Sequence, residues 1–171
     1  MIDPSMLSKM LVLITEIYGD QVDLSGKPYI MHLLRVMANL NSDDIELNCI
    51  ALGHDLIEDG RIKFDDAYAY LSNKGFSHRI IKAILLLTRL PDQSYINYID
   101  QIIINYDAIR VKLADIKNNL DMARLKKIKQ SDIDRQRKYI RAAEKLFNAK
   151  NNYEKKKPTL DTSEPMKNIV V

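Results

Sequence analysis

Eight consecutive residues, Leu52-Gly53-His54-Asp55-Leu56-Ile57-Glu58-Asp59, put one imidazole and three carboxylates into an otherwise apolar run. On a helix, residues three or four apart share a face. That spacing sets His54 beside Glu58, and Asp55 beside both Glu58 and Asp59. Ile50, Ala51, Leu52, Leu56 and Ile57 make the same helix mostly buried. A solvated charged face is the usual fate of such a run, but it does not suit these neighbours. Burying four ionisable groups without partners is too costly. A metal centre with an acid/base pair one turn further on gives them partners.

Two further residues extend that set. His32 sits on an apolar helical stretch upstream, and Asp115 lies downstream in Val111-Lys112-Leu113-Ala114-Asp115, with Asn119 one turn on. A lone histidine on an apolar face is most often a satisfied core residue. Two of them with two aspartates form a different pattern. Neutral imidazole plus carboxylate suits a divalent transition ion such as Mn²⁺, Fe²⁺ or Zn²⁺, and four such ligands leave positions open for water and substrate.

The elements that must position these residues read as helices throughout. Apolar residues recur at three and four in Ser5 to Tyr18, behind Asp3-Pro4 as cap and first-turn proline, and Gly19 ends that helix. Ser25-Gly26 is a turn, and Tyr29 to Leu40 is the helix bearing His32. Asn41-Ser42-Asp43-Asp44 caps the helix that runs from about Ile45 to Asp59, where Gly60 stops it. Phe64 to Leu71 is a short helix, and Ser77 caps Ile80 to Leu87. Tyr95 to Asn105 is amphipathic. Asp107 caps a helix to about Ala123, and Ser131 caps the last, Asp132 to about Lys150. No segment shows sustained alternation. The reading is an all-α domain of about seven or eight helices over residues 1–150, followed by a flexible C-terminal tail over 151–171.

The chain of 171 residues has 46% apolar and 29% charged residues, which fits one soluble globular domain. No apolar run is long enough to span a membrane, and the opening residues lack the order of a signal peptide, so a cytoplasmic location is expected. The lone Cys49 allows no disulfide framework and reads as a small buried hydrophobe. A formal charge of +3 is too small to imply nucleic acid.

Three stretches carry a more specific pattern: Ser25-Gly26-Lys27-Pro28-Tyr29-Ile30-Met31-His32, His54-Asp55-Leu56-Ile57-Glu58-Asp59, and Lys112-Leu113-Ala114-Asp115-Ile116-Lys117-Asn118-Asn119-Leu120. Together they resemble the HD-domain metal-dependent phosphohydrolases, and in particular the (p)ppGpp hydrolase domain of the RelA/SpoT family in its small stand-alone form. The resemblance runs from about Met10 to about Leu146. It implies an HD-domain helical bundle that removes pyrophosphate from the 3′ position of (p)ppGpp with Mn²⁺. His32, His54, Asp55 and Asp115 would hold the metal. Glu58 and Asp59 would handle the attacking water or the leaving oxygen, and Asn119 would hold the substrate.

The pattern is not matched everywhere. The base-contacting Arg-Lys pair of the family is replaced by Asp23-Leu24, and the arginine that often follows the last aspartate is Ile116. Lys112, Arg89 and Tyr29 are further candidates for the substrate pocket, with Arg89 chosen because guanidinium pairs bidentately with phosphate. Asn119 is preferred to Asn118 because only the i+4 position shares a face with Asp115. Tyr95 and Tyr98 fit core and pocket equally, and His78 reads as a surface residue at a helix start. The expected partner is a small phosphorylated nucleotide, with neither nucleic acid nor membrane. The alternatives are an HD hydrolase of another 2′- or 3′-phosphorylated nucleotide, NADPH or a nucleoside monophosphate, and a catalytically idle alarmone-binding module.

Overall fold

The computed structural model describes residues 3, 5–23, 25–58, 62–122 and 127–156. Among these residues the chain forms eight helices: α1 Ser5–Tyr18, α2 Ile30–Leu40, α3 Ile45–Gly53, α4 Phe64–Asn73, α5 His78–Leu87, α6 Tyr95–Ile102, α7 Tyr106–Asn119 and α8 Gln130–Lys155. There is no strand among the described residues, only an isolated bridge between Val22 and Pro28 at the Ser25-Gly26 turn. Gly26 takes φ +81° there, a conformation that L side chains rarely adopt. The expected all-α class is observed.

The middle of the bundle is α3. Leu47 and Cys49 through Gly53 are all buried, so this helix is apolar on every side, as expected of an element surrounded by others. α1, α2, α5 and α7 pack around it, α2 and α7 lie against each other, and α8 closes over α7. Cys49 is buried and free. No helix among the described residues is long and apolar enough to cross a membrane.

Several helix starts follow short polar side chains that accept orphan N–H groups. Asp44 accepts from Leu47 N at 3.1 Å, Ser77 from Ile80 N at 3.4 Å and Ser94 from Asn97 N at 3.1 Å. Two expected caps are corrected. α7 is capped by Asn105, whose side chain accepts from Ala108 N at 2.9 Å, and not by Asp107. A cap needs extended backbone, and Asn105 has it at φ −135°, ψ 121°, whereas Asp107 is already inside the first turn. α8 begins at Gln130, ahead of Ser131, with Asp132 accepting from Lys129 N at 2.9 Å.

Helix ends also differ from the sequence reading. α6 stops at Ile102 because Asn105 is committed to capping the next helix. α3 stops at Gly53 instead of Asp59, and residues 54–58 form turns tightened by a Leu56 N to Gly53 O bond of 3.1 Å. α8 continues to Lys155, past the expected start of the tail at 151. Residues 157–171 lie outside the described residues.

One ionic cluster ties three helix starts together. The Arg79 guanidinium donates from Nε to Asp107 Oδ2 at 2.7 Å, from Nη2 to Asp44 Oδ2 at 2.6 Å and from Nη1 to Glu46 Oε2 at 3.0 Å. It joins the starts of α3, α5 and α7.

Candidate metal centre

Three separate segments converge on one point. His32 comes from the first turn of α2, His54 and Asp55 from the turns after α3, and Asp115 from the middle of α7. His32, His54 and Asp115 are 6%, 1% and 4% exposed, in a shell where polar groups need partners. One donor atom from each lies within 4.8 Å of the others. Asp55 Oδ2 joins them, 3.1 Å from His54 Nε2 and 3.6 Å from His32 Nε2. Asp115 Oδ1 is 3.4 Å from His32 Nε2 and 3.8 Å from His54 Nε2. The rings of Tyr18, Tyr29, His32 and His54 stand in a row with centroids 5.1, 5.4 and 5.3 Å apart.

Hydrogen bonding decides what the His54 ring can do. Its Nδ1 lies 2.7 Å from the Ala51 carbonyl, which can only accept, so Nδ1 carries the proton and Nε2 points into the cluster. Nε2 is fully buried with no well-formed hydrogen bond. A buried ring nitrogen facing two carboxylates is a position that a divalent ion would take in place of a proton, and the donor set of two imidazoles and two carboxylates suits that ion.

The electrostatics agree. Burial alone would push the His54 pKa down, but Asp55 and Asp115 hold it up at about 10. Burial would raise the carboxyls of Asp55 and Asp115, yet His54 and His32 around the first and Lys112 beside the second hold both well below the ordinary carboxylate range. The centre therefore keeps its carboxylates ionised and favours positive charge between them, which the His54 imidazolium supplies or a metal ion would.

Neighbouring side chains fix the carboxylates in place. The Tyr29 hydroxyl donates to Asp55 Oδ2 at 2.5 Å. Lys112 Nζ donates to Asp115 Oδ2 at 2.8 Å and lies 5.1 Å over the Tyr98 ring. Asn119 Nδ2 donates to Asp115 Oδ1 at 2.5 Å.

Against known proteins, no protein-family profile and no curated protein matches the chain in sequence. A solved structure described as a metazoan ortholog of SpoT that hydrolyzes ppGpp and plays a role in starvation responses superposes with a TM-score of 0.66. The alignment covers 91% of this chain and 95% of that one, at 17% identity. The two share a fold.

The cluster of histidines and aspartates opens into a cavity of about 420 Å³. Tyr29, His32, Asp55, Glu58, Lys112, Asp115 and Asn119, seven of the residues singled out in the sequence, line it. Glu58 is exposed through the cavity mouth, and its carboxyl is pushed above its ordinary pKa by burial and by the charge of Asp55. Asp59 and Leu24 lie outside the described residues. Arg89 is not part of the wall. Its Nε and Nη2 both donate to the Gln93 carbonyl, at 3.0 and 2.8 Å, and its guanidinium lies over Tyr95. Tyr98 is core, with its hydroxyl donating to Leu87 O at 2.6 Å, and Tyr95 stacks between Tyr98 and Tyr139. His78 is at the exposed start of α5, 3.2 Å from the Tyr68 hydroxyl.

The far wall was not read from the sequence. Asp132, Arg135, Gln136 and Tyr139 of α8 line the same cavity as His32, Asp55 and Asp115. They recur at three, four and seven, a polar stripe on one face of that helix, and this was the available signal. Asp23, in the position of the missing base-contacting pair, spends its Oδ1 on its own turn. That oxygen accepts from Ser25 N at 2.8 Å, Ser25 Oγ at 2.6 Å and Lys27 N at 3.0 Å.

Proposed function

We propose that this chain is a metal-dependent phosphohydrolase of the HD type, located in the cytoplasm, with (p)ppGpp as its first candidate substrate and release of 3′-pyrophosphate as its reaction. The observation that carries the reading is the convergence of the buried His54 Nε2 with His32, Asp55 and Asp115, the last three lining a nucleotide-sized cavity. The shared fold with a ppGpp-hydrolysing protein supports the choice of substrate.

His32, His54, Asp55 and Asp115 would hold the ion, Mn²⁺ by resemblance. A divalent ion bound there supplies a water of lowered pKa and offsets phosphoryl charge. Glu58 stands at the cavity mouth, three residues after Asp55, and takes the proton of the attacking water, with Asp59 as its partner for the leaving oxygen. Lys112 and Arg135, cations on the cavity wall paired with Asp115 and Asp132, would meet phosphate oxygens, and Asn119 would meet the ribose or phosphate edge. Asp115 is held by Lys112 and Asn119 and is kept ionised by the former.

One observation favours a second substrate within the same class. Asp23 is locked into its turn and offers a base no cationic partner, so a 2′- or 3′-phosphorylated nucleotide with a different base, NADPH included, fits the same floor and α8 wall. Incubation with ppGpp and excess Mn²⁺, with a chelator control, separates the two. GDP and pyrophosphate formed only without chelator establish the alarmone. No release from ppGpp, with turnover of another 2′- or 3′-phosphorylated nucleotide, moves the substrate and keeps the chemistry.

A further inference from the structure

Asn118 is buried at 8% exposure and does not line the cavity at the His/Asp cluster, yet its side-chain amide lies 2.7 Å from His32 Nδ1. The pair joins α7 to α2 beside the metal ligands, since Asp115 is three residues before Asn118 and His32 Nε2 is 3.4 Å from Asp115 Oδ1. An imidazole that gives Nε2 to a metal must carry its proton on Nδ1, and that N–H needs an acceptor. His54 meets the requirement permanently through the Ala51 carbonyl. His32 has instead a primary amide, which can accept through Oδ1 or donate through Nδ2.

We propose that Asn118 is the positioning residue for the metal centre, setting the His32 tautomer by presenting Oδ1 to Nδ1–H when the ion is bound. In the structure Nδ2 is the atom against Nδ1. That orientation places the His32 proton on Nε2, the nitrogen the ion needs. A half-turn of the amide exchanges the two atoms within the same outline, so metal capture at His32 is coupled to that turn, whereas capture at His54 needs none. The two adjacent asparagines then divide the work: Asn119 holds the carboxylate and lines the cavity, and Asn118 holds the imidazole from behind.

The inference rests on the metal-centre reading above and is independent of the nucleotide. Its test uses Zn²⁺ alone, as a diamagnetic probe, on the whole chain. Zn²⁺ affinity is measured for wild type, Asn118→Leu and Asn118→Asp, and imidazole nitrogen NMR assigns the His32 tautomer in the loaded wild type. Asn118→Leu removes the acceptor and is expected to weaken Zn²⁺ by roughly 10–100-fold. Asn118→Asp keeps a pure acceptor and is expected to match or exceed wild-type affinity, which a role in packing alone would not produce. Loaded wild type is expected to show Nδ1–H on His32. Wild-type affinity in Asn118→Leu, a loss in Asn118→Asp equal to that of Asn118→Leu, or an unprotonated Nδ1 in the loaded protein each overturns the proposal. Should Asn118→Leu fail to fold, the aspartate variant and the tautomer decide. Absence of Zn²⁺ binding by wild type itself would strike the metal-centre reading instead.

Discussion

Glu58 and His54 carry the sharpest expectations at the scale of single residues. Glu58→Gln keeps the size of the side chain and removes the proposed base. Turnover is expected to fall by roughly 10²–10⁴-fold with metal affinity unchanged, checked by steady-state rates beside a metal titration. Burial and Asp55 raise the Glu58 pKa, so its basic form appears at higher pH than for an ordinary glutamate. The rate is therefore expected to rise with pH through that raised value, and a profile flat across it, or one unchanged in Glu58→Gln, would remove Glu58 from the chemistry.

His54, held up at about 10 in the metal-free protein, is protonated at neutral pH, and a metal must displace that proton. Binding is expected to release about one proton, read from the buffer dependence of the binding heat. At this scale the sequence was informative where chemistry and local spacing coincide. His32, His54, Asp55 and Asp115 stand out by type, and the structure brings them together. Asn118 does not, because its partner is 86 residues away and helical spacing favours its neighbour. Arg89 suits phosphate by type alone, but the local carbonyl of Gln93 claims it.

At the scale of elements, most helices were legible because apolar residues recur in them at three and four, and α3 because it is a continuous apolar run behind a cap. Their ends were less so. The run from Ile45 to Glu58 keeps helical spacing, yet the helix ends at Gly53, where a Cβ would come within 2.8 Å of Ile84 Cδ1 and 3.1 Å of Met10 Cε. Close packing on α1 and α5 requires the glycine at that end, and no local pattern reports it. Asp107 looked like a cap because its real partner, Arg79, is on another helix.

That cluster yields a stability test. Arg79→Ala leaves Asp44, Glu46 and Asp107 facing one another. Arg79 is partly open to solvent, which screens the pairs, so the expected loss is on the order of 2 kcal/mol by denaturant unfolding. Burial would raise the Asp44 carboxyl, but Arg79 and the Leu47 N–H hold it below its ordinary value. The stability it contributes is present above the unfolded aspartate pKa, about 3.9, and is lost as pH falls through the lowered folded one. Arg79→Ala is expected to flatten that acid limb.

For the whole molecule, the bundle is a frame that brings three distant segments to one buried point and leaves a cavity between them and α8. The first two of these facts follow from patterning, whereas the α8 wall depends on how the last helix folds back over α7, which spacing alone does not encode. Because the ligands come from α2, α7 and the turns after α3, an ion there cross-links the fold. Saturation at about 100 times Kd is expected to add roughly 2.7 kcal/mol, visible as a rise in Tm that a chelator reverses.

The most direct single measurement is a Mn²⁺ titration of the metal-free chain beside Asp115→Asn. One equivalent bound by wild type, with affinity lost when Asp115 gives up its charge, is the expected result. Wild type that takes up no ion, or Asp115→Asn that binds it equally well, would contradict the account at its centre.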